Sequence, residues 1–321
     1  MKKKVLITGC AGFIGYSLCS FLLKKKYNIV GIDSLNSYYN LNLKKKRINL
    51  LKNNNFKFIK CDISKKQTFF KYIKNYNFNF IIHLAAQPGV RYSFENPQSY
   101  IHNNIDAFAN ILEYTRLKKI DLFYASSSSV YGECKSFPIN ENSILRPNNI
   151  YALTKKHNEE MATLYSKIYK LRIFGLRFFT VYGEWGRPDM FIIKFFESIR
   201  MNKYFPIFNN GNHYRDFTYI GDVIKMVFEL LKKRKKFNKE HKIFNVCRGK
   251  SIFIKKVLKY LVNLTKFRKI KNVKLKKTET FKTHGSNKRI NKISKIKNFK
   301  DIYFGIQRTY YWYQNNKKLF D

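Results

Sequence analysis

The sequence predicts an α/β protein built on a doubly wound parallel sheet, joined to a smaller mixed domain. Three observations predict it. Strands and helices alternate through the first half of the chain. Each strand reads as an unbroken apolar run, which requires both sheet faces to be covered. A glycine-rich turn joins the first strand to the first helix.

In chain order, "KKVLITG" is a short buried strand ending in a turn, and "FIGYSLCSFLLKKK" is a helix with a basic end that suits its dipole. "NIVGID" is the second strand, "LNLKKKRINLLK" a helix, "FKFIKCDI" the third strand and "TFFKYIKNY" a helix. "NFIIHLAA" is strand four, "NIDAFANILEYTRLK" a helix and "DLFYASSSS" strand five. The long helix "NIYALTKKHNEEMATLYSKIY" follows. Beyond residue 180 the pattern is less regular. "GEWGRPDM" is loop-like, "MFIIKFFESIRMN" helical, and "PIFNNGNHYRDFTYIGDV" a turn-rich stretch entering a helix. "KIFNVCRG" is strand-like, and Lys266 to Lys277 is a basic, solvated patch. The expected division is residues 1–180 for the sheet domain and 181–321 for a second domain intertwined with it.

The 321 residues are 45% hydrophobic and 17% aromatic, a globular composition. Lys and Arg number 64 against 20 Asp and Glu, a formal charge of +44. That charge suits a nucleic-acid binder. The basic residues are spread along the chain, however, and Lys outnumbers Arg, whereas bidentate phosphate recognition favours Arg. A bias of composition accounts for the charge with no nucleic acid as partner, and the positive field still attracts small anions. Cys10, Cys19, Cys61, Cys134 and Cys247 form no C-x-x-C pair, which fits a reducing compartment and gives no metal site. "MKKKVLITGC" imitates a signal peptide, but only Val5 to Ile7 precede Thr8, and an apolar core of about 7–15 residues is needed. A cytoplasmic protein without a membrane segment is expected.

Gly9, Gly12 and Gly15 form G-x-x-G-x-x-G between the first strand and the first helix. Glycines there let the chain turn tightly, let a pyrophosphate approach the backbone, and let helix pack on strand. The helix N-terminus adds N–H groups and partial positive charge. A merely tight turn is the plain alternative. Asp33 ends the second strand, eighteen residues after Gly15. Its carboxylate suits the adenosine ribose hydroxyls and repels a 2′-phosphate, so NAD is favoured over NADP. Asp62, ending strand three, is a candidate for the adenine. Together these read as a Rossmann-type NAD-binding domain.

Tyr-x-x-x-Lys occurs four times, as Tyr114–Lys118, Tyr131–Lys135, Tyr151–Lys155 and Tyr313–Lys317. A working pair belongs on one face of a helix that follows the strand carrying the serines. Tyr151 and Lys155 lie in the first turns of such a helix. A free phenol has a pKa of about 10 and is a poor base at neutral pH. A neighbouring ammonium and the positive nicotinamide stabilise the phenolate, and a shift of about 3 units corresponds to about 4 kcal/mol. Tyr151 then removes a hydroxyl proton as hydride leaves the same carbon.

The blocks "TGCAGFIG", "HLAAQPGVRYS", "ASSSSVYG", "YALTK", "LRFFTVYGEWGRPDM" and "RDFTYIGD" resemble the extended short-chain dehydrogenase/reductase family. Within it they are most similar to nucleotide-sugar 4-epimerases, in particular those acting on UDP-glucuronate. The resemblance implies a catalytic Ser127 acting with Tyr151 and Lys155, with Ser128 and Ser129 facing the sugar and Ser126 structural. It assigns Gly9, Gly12, Phe13, Ile14, Gly15, Asp33, Asn36, Asp62, Ile63, Leu84, Ala85, Ala86 and Asn104 to the cofactor, beside Tyr151 and Lys155. It assigns Arg91, Ser128, Ser129, Thr180, Arg187, Arg215 and Glu279 to the substrate. Related dehydratases carry an Asp-Glu pair where Ser128 and Ser129 stand, and related decarboxylases a Glu, so plain epimerisation is implied. The C4 hydroxyl is oxidised transiently and hydride returns to the other face of a 4-keto sugar. A homodimer is implied. Three departures from the pattern touch the substrate end: "TETFKTHGSN" replaces a "QPGD"-like segment, Ser286 stands where Asp is common, and Cys247 replaces a usual Gly. A neutral UDP-hexose or UDP-N-acetylhexosamine is the alternative substrate. A non-catalytic sensor or nucleic-acid binder is the alternative of another class.

Overall fold

The computed structural model describes residues 3–274 and 280–320. Its strands are β1 (Lys4–Thr8), β2 (Asn28–Asp33), β3 (Phe56–Lys60), β4 (Phe80–His83), β5 (Asp121–Ser127), β6 (Ile173–Phe178), β7 (Thr180–Tyr182), β8 (Phe205–Phe208), β9 (Tyr214–Tyr219), β10 (His241–Val246), β11 (Ser251–Phe253) and β12 (Ile270–Val273). Its helices are α1 (Phe13–Lys24), α2 (Leu41–Leu51), α3 (Lys66–Ile73), α4 (Tyr92–Glu95), α5 (Pro97–Tyr100), α6 (Ala107–Lys118), α7 (Ile150–Tyr169), α8 (Phe191–Arg200), α9 (Ile220–Lys233), α10 (Ile254–Thr265), α11 (Lys288–Ser294) and α12 (Ile302–Asn316).

Seven strands form the main sheet in the order β3-β2-β1-β4-β5-β6-β10. β1 runs parallel to β2 and β4, β2 to β3, and β4 to β5. The strand order reverses between β1 and β4, and their carboxyl ends therefore open the crevice where doubly wound sheets take ligands. The apolar strands are buried because helices cover them. Leu6, Ile32, Ile81 and Leu122 of the sheet share one core with Phe69 and Ile73 of α3, Phe108 and Ile111 of α6, and Ala162 of α7.

The chain divides into two compact units. The first comprises Met1–Gly132, Ile144–Arg177 and Leu231–Phe244, and the second Glu133–Ser143, Phe178–Leu230 and Asn245–Asp321. In the second unit β9 lies between β11 and β7, and β12 pairs with β8. Among the described residues no helix is long and apolar enough to cross a membrane.

Two expectations about elements need correction. β3 is not a fully covered strand: Lys57 and Lys60 are exposed, and the strand stands at the sheet edge, where fewer neighbours bury it. The stretch read as turn-rich between residues 205 and 219 contains β8 and β9. Their partners, β12, β11 and β7, are distant in sequence, and short strands defined by such pairings leave little local signal.

Candidate active site

The glycine loop has the geometry its chemistry needs. Gly9 adopts φ +70°, and a Cβ there would stand 2.6 Å from the Ala85 nitrogen. A Cβ on Gly15 would stand 2.0 Å from the Gly9 carbonyl oxygen. Helix and strand ends are thus closer than any side chain permits. α1 starts at Gly12 with no side-chain cap and no acid in its first turn, so the amides around Phe13 and Ile14 present positive potential toward the crevice. Leu84, Ala85 and Ala86, half-buried after β4, flank this loop.

Asp33 stands at the carboxyl end of β2. Its Oδ2 accepts from the Ala11 amide at 3.1 Å and its Oδ1 from the Leu35 amide at 2.9 Å, which orients the carboxylate and ties it to the glycine loop. Burial pushes this carboxyl up, opposed by those amides and by the charges of Lys44 and Arg47. Lys44 donates to the Asn36 carbonyl at 2.7 Å and to its Oδ1 at 2.6 Å. Arg47 donates to the Ala11 carbonyl at 2.8 Å and to the Tyr39 hydroxyl at 2.7 Å. Burial lowers the Lys44 amine to about 8. Asp62 accepts from the Ser64 amide and hydroxyl, and the neighbouring Ile63 carbonyl accepts from Asn110. A glycine cradle, an uncapped helix start and an oriented carboxylate one strand away are a donor set that fits NAD.

Asn104 sits in a wide π-helical turn before α6. Its Oδ1 accepts from the Gln87 amide at 2.7 Å, and its Nδ2 donates to the Gln87 carbonyl and to Thr154 Oγ1 at 3.0 Å. It therefore ties the loop after β4 to α7. Thr8 Oγ1 lies 2.8 Å from His83 Nδ1 and accepts from the Ala85 amide. Burial, then the Lys155 charge, holds His83 down to about 3, so it stays neutral.

The four serines part company. Ser126 is buried and donates to Glu159 Oε1 at 2.5 Å. Ser127 closes β5, and its Oγ accepts from the Ser129 amide at 3.2 Å and donates to Ser129 Oγ at 3.1 Å. Ser128 and Ser129 are half-buried in the 3₁₀ turn that follows. α7 packs against β5 and this turn.

Burial separates the four Tyr-Lys pairs. Tyr114 is buried with its hydroxyl on the carbonyls of Ile73 and Tyr76, Tyr131 accepts from Arg177, and Tyr313 donates to Glu197; Lys118, Lys135 and Lys317 are all exposed. Tyr151 is half-buried at the start of α7, with its ring edge-on to Tyr100, and Lys155 one turn on is 2% exposed. Burial lowers the Lys155 amine to about 8, with Glu159 acting the other way.

The expected substrate residues are more dispersed. Arg91 is half-buried just before α4 in the first unit. Thr180 opens β7 in the second unit. In that unit the Arg187 fork is held by Asp189 at 2.9 and 2.8 Å, and Arg215 donates to the carbonyls of Tyr214 and Phe281. Glu279 lies outside the described residues. Cys247 is accommodated by Gly285, where a Cβ would come within 2.7 Å of its Sγ. Ser286 is buried, its amide on the Ile139 carbonyl.

Lys44, Arg47, Glu159 and Arg177 escaped the sequence reading. The signal was present for three of them: Lys44 and Arg47 share a buried helical stripe with Leu43, Ile48 and Leu51, and Glu159 shares one with Ala152 and Ala162. A charge within an apolar stripe implies a buried partner.

Comparison with known proteins agrees with this geometry. The model of the NAD dependent epimerase/dehydratase family matches residues 5–247. An uncharacterized protein of Methanocaldococcus jannaschii is 43% identical over 268 residues, 81% of each chain. UDP-glucuronate 4-epimerase 4 of Arabidopsis thaliana is 43% identical over 227 residues, 69% of this chain and 52% of that protein. The crystal structure of UDP-glucuronic acid 4-epimerase from Bacillus cereus in complex with UDP-glucuronic acid and NAD superimposes with a TM-score of 0.89 at 30% identity, covering 98% of this chain and 99% of that one. With the family model matched over residues 5–247, the chain belongs to the NAD dependent epimerase/dehydratase family.

Proposed function

We propose that the protein is an NAD-dependent 4-epimerase that interconverts UDP-glucuronate and UDP-galacturonate. The observation that carries this reading is a buried Lys155 one turn after a half-buried Tyr151, on the helix that packs against the end of β5. Tyr151 takes the C4 hydroxyl proton, and the Lys155 ammonium holds the phenolate charge. Ser127 Oγ hydrogen-bonds the substrate oxygen and aligns it with Tyr151. The glycine loop and the start of α1 would hold the pyrophosphate of NAD, and Asp33 would accept from its adenosine ribose. When bound, NAD would supply reversible hydride acceptance at C4, with no net redox change over the cycle. No carboxyl stands at Ser128 or Ser129 to eliminate water or to protonate a carbanion.

Arg91, Ser128, Ser129 and Thr180 are the proposed sugar contacts. Hydrogen bonds from Ser128 and Thr180 hold the glucuronate carboxylate against loss of carbon dioxide from the β-keto acid. Arg187 and Arg215 take the diphosphate, for which the guanidinium fork is suited, with Arg187 exchanging Asp189 for substrate. Exposed Leu153, Leu164 and Ile168 line one face of α7 at 56, 56 and 57% exposure. They supply the apolar surface for the proposed homodimer, which sedimentation would detect. The five cysteines stand outside any disulfide, which suits the cytoplasm, where we place the protein.

The test is incubation of the purified protein with UDP-glucuronate, UDP-glucose and UDP-N-acetylglucosamine, with chromatographic separation of the products. UDP-galacturonate forming without accumulation of reduced nucleotide supports the reading. Turnover of a neutral UDP-sugar alone transfers the reading to that sugar. No turnover of any, together with RNA binding that weakens steeply with salt, refutes it.

A further inference from the structure

Residues 126 to 131, the end of β5 and the serine turn, are gripped at both ends by one buried ion pair. At the start, Ser126 Oγ donates to Glu159 Oε1 at 2.5 Å. Arg177 of β6 meets the same carboxylate side-on, Nε to Oε1 at 2.9 Å and Nη2 to Oε2 at 2.6 Å. At the far end, Arg177 Nη1 donates to the Tyr131 hydroxyl at 2.7 Å, and its guanidinium lies 4.7 Å from that ring's centre. Ser126, Tyr131, Glu159 and Arg177 are all buried. Ser127 lies between the two anchors. Glu159 lies one turn beyond Lys155, which lies one turn beyond Tyr151, so the same carboxylate belongs to the helical face that carries the Tyr-Lys pair.

We propose that Glu159 is a positioning residue of the reaction, holding Ser127 in register with the Tyr151–Lys155 face through Ser126 on one side and Arg177–Tyr131 on the other. This rests on the epimerase reading of the site. A hydroxyl and a phenol must meet one substrate oxygen, and they lie on different elements, a strand end and a helix. A misplacement of about 1 Å costs about a hundredfold in rate, so a rigid tie between those elements has a kinetic value that packing alone does not give. The carboxylate also acts through its charge, because it favours the ammonium of Lys155 against burial. The other groups facing this run leave that effect intact. His83 of β4 is kept neutral to about 3 and His241 of β10 to about 4, in both cases chiefly by burial. Burial pushes the Tyr124 phenol of β5 far up. Arg177 of β6 and Tyr131 of the turn are engaged with each other.

The experiment measures UDP-glucuronate conversion from pH 6 to 10 with NAD-loaded wild type, Tyr151→Phe, Glu159→Gln and Ser126→Ala. Glu159→Gln is expected to lower kcat about tenfold or more with KM within about twofold, and to move the alkaline limb down by about one pH unit as Lys155 loses its proton earlier. Ser126→Ala removes one anchor but keeps the charge, so kcat falls about fivefold with the alkaline limb unmoved. A Glu159→Gln enzyme that matches wild type in kcat and pH profile overturns the proposal. Should that variant not fold, Ser126→Ala decides, and a normal kcat overturns the proposal. A wild type inactive on every UDP-sugar sinks the functional reading and the proposal with it, whereas a normal Glu159→Gln beside an active wild type and a dead Tyr151→Phe sinks the positioning role alone.

Discussion

Lys155→Met is expected to make the protein more stable and nearly inactive. Burial holds the Lys155 amine at about 8 against an ordinary value of 10.5. Each unit of such a shift is about 1.4 kcal/mol, so keeping the ammonium buried costs the fold about 3 kcal/mol at pH 7. The sign follows from the direction of the shift. Below pH 8 the amine is protonated in both folded and unfolded chains and the whole cost is present; between 8 and 10.5 the folded protein sheds the proton first and the cost fades. Methionine keeps the length and apolar stem without the charge, so the variant gains about 3 kcal/mol at pH 7 and about nothing above pH 10.5. The assay is paired urea titration of wild type and variant across this pH range, after bound nucleotide has been removed so that a lost nucleotide contact does not enter. Taking the difference between the two proteins cancels titrations elsewhere in the chain. On the proposed mechanism kcat falls by up to about a thousandfold, because the Tyr151 phenolate loses the ammonium's share of its support of about 3 units and keeps only that of the nicotinamide. A variant no more stable than wild type at pH 7, or a stability gap that does not close toward pH 10.5, refutes the reasoning.

Tyr151→Phe is expected to retain NAD, read by absorbance of the released nucleotide, while turnover falls by orders of magnitude; near-normal turnover removes Tyr151 as the base. Gly15→Ala forces a methyl to within 2.0 Å of the Gly9 carbonyl. It is expected to cost about 1–3 kcal/mol of stability and to weaken NAD binding, both measurable by thermal melting with and without NAD. Asp33→Ala is expected to weaken NAD binding at least about tenfold, by titration calorimetry, because it removes the carboxylate proposed to accept from the ribose hydroxyls and cuts its tie to the Ala11 amide; an unchanged affinity rejects that role.

Much of this protein is determined by residues close together in sequence. Apolar runs of strand length, separated by helical stripes, are enough to require a covered parallel sheet. Gly9, Gly12 and Gly15 mark the tight turn, and at Gly9 and Gly15 only glycine tolerates the backbone contact that the loop makes. The place of Tyr151 and Lys155 at the start of the helix after β5 was legible, although the chemistry proposed for them rests on burial, which spacing does not express. Only tertiary structure decided that Lys155 is dry while Lys118, Lys135 and Lys317 are wet, that Arg177 from β6 meets Glu159 from α7, and that β8 and β9 find partners far along the chain. The reason is physical: periodicity follows from neighbours three or four residues apart, whereas the cost of a buried charge and the partner that offsets it are set by whichever distant elements close over it.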